Sequence, residues 1–226
     1  MNDYLERSKQ LLGEDKIAMF ADKTIAVIGI GGVGGTALEA LARSGFKKFI
    51  LIDFDEVSAS NINRQILFTS LDVGKTKVDC AKEHLLKVCS DLQIDTFILK
   101  IGDCSLNEVL KIKPDFIVDA IDYVPGKLHI YQYALENNIS FISSLGMGNR
   151  LNPEMVTITN LSKTENDPLA KKMRYEAKKL GLDIKKIPVV FSKEEPLLKS
   201  KQPASMIMVP SEAGLLIAKY VISTIK

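Results

Sequence analysis

Gly29, Gly31 and Gly34 stand at GxGxxG spacing directly after the β-branched run Thr24-Ile-Ala-Val-Ile28 and before the helical pattern around Ala37, Leu38 and Leu41. Lacking Cβ atoms, the backbone of such a turn comes close to phosphate oxygens, and the first turn of the next helix offers N–H groups that have no partner within the helix. The plainer role for the same glycines is tight strand-to-helix packing. Asp53 follows Gly34 by about 20 residues, the separation at which an acid meets a ribose hydroxyl. ATP and NAD sites share these features, so the loop leaves the nucleotide open.

Beyond Asp53 the chain adds charge of both signs. The strings Asp53-Phe-Asp55-Glu-Val57, Ser60-Asn61-Ile-Asn63-Arg64-Gln65, Val73-Gly74-Lys-Thr-Lys77 and Asp119-Ala-Ile-Asp122 carry cations and carboxylates in loops beyond predicted strand ends. A triphosphate with its metal needs such groups. Arg64 offers a planar fork to phosphate oxygens, Lys77 a compact charge, and Asp122 a carboxylate that holds magnesium against the phosphates. Singly, each has a duller reading: a surface ion pair for Arg64, an exposed first-turn residue for Lys77, a strand-end cap for Asp122. An NAD-dependent oxidoreductase would leave all three without a task.

The elements that position these residues alternate. Residues 5–20 read as a broken helical arm. Strands are expected at 24–28, 49–53, 94–101, 116–121 and 141–143, with helices at 37–42, 77–88, 106–112 and 127–137 between them. Near-continuous apolar strands alternating with helices predict an α/β, Rossmann-like, doubly wound sheet that is mostly parallel. The texture then changes. Met155 to Thr159 alternates with period two, which predicts antiparallel pairing in the C-terminal third, followed by a basic helix at 168–180, a strand at 189–191, a Lys/Pro-rich loop at 193–204, a strand at 206–209 and a closing helix from about Ser211. The whole chain reads as a single domain: an arm at 1–21, a nucleotide-binding core at 22–150 and a C-terminal extension at 151–226.

At 226 residues and 46% apolar composition the chain has material for one substantial core. No apolar run reaches the roughly 18 residues of a membrane span, and the first residues lack a secretion signal, so a cytoplasmic protein with no membrane contact is expected. Cys80, Cys89 and Cys104 form no CxxC pair, which excludes a four-cysteine zinc site and a disulfide framework. The net charge of +2 hides a basic stretch, residues 163–201, whose lysines include Lys171, Lys172, Lys178 and Lys179. Such a surface suits nucleic-acid phosphate, although a solvated helix face has the same composition.

Together the motifs GxGGxG, DxDxV, NxxRQ, VGxxK and DxxD, in order, resemble the ThiF/MoeB/ubiquitin-activating family of adenylating enzymes. The resemblance covers at least residues 22–146. It implies ATP and magnesium as cofactors: a ribose contact from Asp53, phosphate contacts from Gly32, Asn61, Arg64 and Lys77, and a magnesium role for Asp122. Gly31, Asp55, Asn63 and Gln65 complete the implied ATP site, and Arg64, Lys77 and Asp122 are the implied catalytic groups. Arg7 resembles the family's arginine that reaches ATP across a dimer interface, so a homodimer is expected.

Family members that activate carrier proteins commonly have CxxC zinc pairs and often a downstream cysteine nucleophile, whereas this chain has no cysteine after Cys104. The strings Ser143-Ser-Leu-Gly-Met-Gly-Asn149, Asp167-Pro-Leu-Ala170 and Val209-Pro-Ser-Glu-Ala-Gly-Leu215 resemble instead the tRNA threonylcarbamoyladenosine dehydratases. These close a threonine carboxylate of a modified tRNA nucleoside into a ring with ATP. Their partner is tRNA bearing threonylcarbamoyladenosine, contacted here by Lys171, Lys172, Lys178 and Lys179, and the resemblance admits a sulfur-relay partner protein. A carrier-protein activator, an NAD-dependent oxidoreductase and a nucleotide-binding module without chemistry stay open at this point.

Overall fold

The computed structural model describes residues 4–102, 106–198 and 203–226. The strands β1 (Thr24–Ile28), β2 (Lys48–Ile52), β3 (Gln93–Phe97), β4 (Phe116–Asp119), β5 (Ser140–Ser144), β6 (Val156–Asn160) and β7 (Pro188–Ser192) make one sheet in the order β3-β2-β1-β4-β5-β7-β6. All neighbours are parallel except β6 and β7, which pair antiparallel with Ile158 opposite Val190. The Rossmann-like α/β expectation, with its antiparallel C-terminal part, is therefore met.

Alternate side chains of the strands feed two apolar layers. Ile25, Val27, Phe49 and Leu51 face the layer built from α2 (Glu14–Asp22), α3 (Gly32–Arg43), α4 (Lys77–Val88) and α8 (Met208–Thr224). Ala26, Ile28, Ile50 and Ile52 face the layer that holds α5 (Leu106–Val109), α6 (Val124–Glu136) and α7 (Pro168–Lys179). The arm is broken, as expected, and the break falls at Gly13. α1 (Glu6–Leu12) stops at Gly13, whose φ of +88° an L side chain resists, and α2 restarts there.

Some expected boundaries move. β2 ends one residue early, which leaves Asp53 in the loop beyond it, and β4 ends at Asp119. β3 stops at Phe97 and not Ile101, since Ile98 is 58% exposed and has left the sheet. The helix expected at 106–112 is one turn only. The strand expected at 206–209 does not exist: Met208 and Val209 open α8, which reaches back over α3 so that Gly214 packs against Val33 and Thr36. A short apolar run has no period that separates strand from buried helix, and here the partner is a helix. Among the described residues no helix is long and apolar enough to cross a membrane. Cys80 and Cys89 are buried free thiols, whereas Cys104 lies outside the described residues.

Candidate functional site

The carboxyl ends of β1, β4 and β5 open into a cavity of about 1230 Å³, at the edge where parallel α/β sheets gather their ligands. The glycine loop forms one wall, and its glycines divide the labour. Gly29 takes φ +91°, and a Cβ there would lie 2.8 Å from the Ala120 carbonyl group. A Cβ on Gly34 would stand 1.9 Å from the Gly29 oxygen. These two glycines are demanded by packing. Gly31 is different: its nearest neighbour would be the Gln65 Nε2 at 3.9 Å, so its front is open space beside the first turn of α3. Gly32 has Arg64 and Pro210 at 3.1 Å. Gln65 is buried, and its Oε1 accepts no hydrogen bond from the described residues. An open cradle with an orphaned acceptor behind it fits a polar ligand at the loop.

Behind that wall, Asp53 clasps the loop. Its Oδ2 accepts from the Ile30 N–H at 2.6 Å and its Oδ1 from the Asp55 N–H at 2.9 Å. Burial pushes this carboxyl above the usual carboxylate range, against the pull of the Lys77 charge and the two N–H groups. Lys77, at the start of α4, is buried and donates to Asp55 Oδ2 at 2.6 Å. Asn61 caps its own turn by accepting from the Ser58 N–H at 3.1 Å. Asn63 accepts from Arg64 Nη1 at 3.0 Å and donates to the Ser205 carbonyl at 2.8 Å, while the same Arg64 nitrogen donates to Ser60 at 2.7 Å.

The cavity itself therefore collects Gly31, Gly32, Arg64, Asp122 and Lys171 from the expected residues. Asp53, Asp55, Asn61, Asn63, Gln65 and Lys77 stand outside its lining, as supports around the loop. Lys172, Lys178 and Lys179 are exposed on α7 away from it. Arg7 sits on the arm at the opposite end of the sheet: the preceding Leu5 packs near Gly45, and Tyr4 reaches Lys47, just before β2 begins. Asp122 is exposed at the cavity and hydrogen-bonds no described residue. Among the described residues no group of three His, Cys, Asp or Glu could hold a metal.

Two features carry no motif. Lys127, with no exposed surface, spends its three N–H donors on Asp119 Oδ2 at 2.9 Å, Ser143 Oγ at 3.0 Å and the Ser144 carbonyl at 2.6 Å. Tyr131 donates to Ser143 at 2.7 Å, and burial, then the Asp119 charge, hold its phenol well above the usual range. Asp119 Oδ1 accepts from the Ile121 N–H at 3.3 Å, which turns the chain toward Asp122. One signal for Lys127 was present in the sequence: it shares a helical stripe with Ile130, Tyr131 and Ala134. The second feature is Arg150, buried, which donates to the carbonyls of Gly146, Gly148, Asn166 and Glu194 at 2.6 to 3.2 Å and so sets the far wall. Tyr123 has a structural task too, its hydroxyl donating to the Ile101 carbonyl.

Known proteins share this outline. The chain is 32% identical to a Bacillus subtilis tRNA threonylcarbamoyladenosine dehydratase, over 96% of this chain and 92% of that protein. It is 36% identical to tRNA threonylcarbamoyladenosine dehydratase 2 of Saccharomyces cerevisiae, where it spans 92% of itself but only 46% of the yeast protein. The crystal structure of the E. coli tRNA N6-threonylcarbamoyladenosine dehydratase TcdA in complex with ATP superposes with a TM-score of 0.92 at 29% identity, covering 98% of this chain and 93% of that one. Residues 5–187 match the ThiF family model, and the chain belongs to the ThiF family.

Proposed function

We propose that this chain uses ATP to adenylate the threonine carboxylate of threonylcarbamoyladenosine in tRNA and closes it to the cyclic form, releasing AMP and diphosphate. The observation that carries the reading is the open face of Gly31 beside Arg64 and Asp122 in one cavity. Likeness to dehydratases along nearly the whole chain supports it.

In the first step the substrate carboxylate oxygen bonds to the α-phosphorus of ATP, and the bond to diphosphate breaks. Arg64, from the wall beside Gly32, stabilises the charge that gathers on the phosphoryl oxygens. Lys77 adds a second charge by leaving Asp55 for phosphate. Asp122 would hold magnesium, which when bound would supply Lewis-acid charge at the phosphates. In the second step the substrate's own carbamoyl moiety attacks the acyl carbon and AMP departs, so ring closure is intramolecular and proximity lowers its barrier. No cysteine nucleophile is needed.

The chain acts as one domain and as a homodimer. Arg7, remote from its own glycine loop, serves the nucleotide of a second copy. The test is mass spectrometry of nucleosides from tRNA treated with the protein and ATP. Loss of one water from threonylcarbamoyladenosine, with AMP formed in equal amount, is expected. ATP left intact in the presence of the modified tRNA would overturn the assignment.

A further inference from the structure

The basic helix α7 meets the cavity along one face. Lys171 and Arg174 are one turn apart and both line the cavity next to Asn166 and Asp167. Helical periodicity continues the same stripe through Tyr175 and Lys178, and carries Lys172 to another side. Tyr175 is 60% exposed, with the Lys179 ammonium 4.3 Å from its ring centroid.

The charges of the two cavity cations are not neutralised among the described residues. Arg174 is held by Nη1, which donates to the Thr164 carbonyl at 2.8 Å and to the Thr164 hydroxyl, and neither Lys171 nor Arg174 forms an ion pair among the described residues. The adjacent Asp167 is committed elsewhere: its Oδ1 caps α7 through the Leu169 and Ala170 N–H groups, and its Oδ2 accepts from Gly146 at 2.9 Å. Anionic phosphate is the complement of such a pair, and an exposed aromatic ring among lysines is a stacking platform for an unpaired base.

We propose that this face is the exit track of the RNA strand bearing the substrate nucleoside. Lys171 and Arg174 bind the phosphodiester next to that nucleoside, Tyr175 stacks with the neighbouring base, and Lys178 follows the strand outward. The proposal rests on the reading of the substrate given above. A second source of phosphate is the polyphosphate of ATP, but α7 is tied to the β5 end of the cavity through Gly146, whereas Gly32 and Arg64 stand at the β1 end.

The experiment compares a trinucleotide carrying central threonylcarbamoyladenosine with the free nucleoside, following AMP release by the intact protein. The native protein should favour the trinucleotide in kcat/KM by at least about tenfold. K171A and Y175A should each lose about 5- to 50-fold with the trinucleotide, through KM, the scale of one lost phosphate or stacking contact. Y175F, which keeps the ring, should stay within about twofold of native. K171A should also lower the salt slope by about one. The KM for ATP should stay within about twofold of native in every variant. A raised KM for ATP in K171A would assign the cations to polyphosphate and overturn the proposal. Equal behaviour of Y175A and the native protein on the trinucleotide would overturn the stacking role. AMP release by neither substrate with the native protein would instead remove the reaction on which the proposal rests.

Discussion

Two lysine–aspartate pairs stand at the carboxyl end of the sheet and differ in character. Lys127 and Asp119 lie 2.9 Å apart with both side chains fully enclosed. Lys77 and Asp55 are closer, at 2.6 Å, but Asp55 keeps 47% of its side-chain surface in water. In the enclosed pair every lysine donor is matched, so no partner can be exchanged without stranding a charge. In the open pair Asp55 returns to water at little cost, and the buried Lys77 becomes free for another anion. Closeness of an ion pair therefore says little about its purpose. Exposure of the acid separates a fixed strut from a charge held in reserve.

Breaking the strut should have the largest effect. Lys127→Met should cost about 3–5 kcal/mol of unfolding free energy, because Asp119 is left buried and alone, and denaturant titration would measure it. Adding Asp119→Asn should recover part of that loss. If Lys127→Met alone melts like the native protein, the contrast between the pairs collapses. Lys77→Ala and Arg64→Ala should reverse the pattern: stability nearly kept, turnover lowered by about two to four powers of ten, the scale of lost transition-state charge stabilisation. A fall of less than about threefold in AMP release would mean the phosphates lie elsewhere.

The glycine loop gives a finer contrast. Gly34→Ala should destabilise by about 1–3 kcal/mol through overpacking against Gly29. Gly31→Ala should shift stability by less than about 0.5 kcal/mol yet weaken ATP binding about tenfold by calorimetry, the scale of one displaced hydrogen bond. Equal effects of the two would deny that packing and binding are divided between them. The smallest change is expected on replacing Cys80, Cys89 and Cys104 together by serine, with turnover staying within about threefold. A folded but inactive triple variant would bring back a covalent intermediate.

Where the chain advertises backbone chemistry, its sequence was legible. β1, the glycine turn and α4 fall at the expected residues because β-branched runs, glycine and a helical period act locally. The antiparallel pairing of β6 was visible in its two-residue alternation. Contacts between distant segments left no such trace. The run 206–209 is apolar in the manner of a strand, and only α3 underneath makes it the start of α8. Arg150 looks like a surface arginine until four carbonyls from three loops converge on it. Within the site, the types of Arg64, Lys77 and Asp122 were readable, but the pairing of Lys77 with Asp55 and the engagement of both Asp53 oxygens were not.

The packing of α8 on α3 also bears on how the protein comes into being on the ribosome. Pro210 sits against Gly32, and Thr36 donates to Ser211, a residue 175 positions later in the chain. At about 5–20 residues per second, those positions take about 9–35 s to synthesise. Until then the emerging polypeptide carries a glycine turn whose wall is missing and an α3 surface with nothing on it. The wall of the cavity is thus completed long after its glycine signature has been made. An arrested nascent chain halted short of Pro210 should fail to retain ATP, and one released past α8 should hold it.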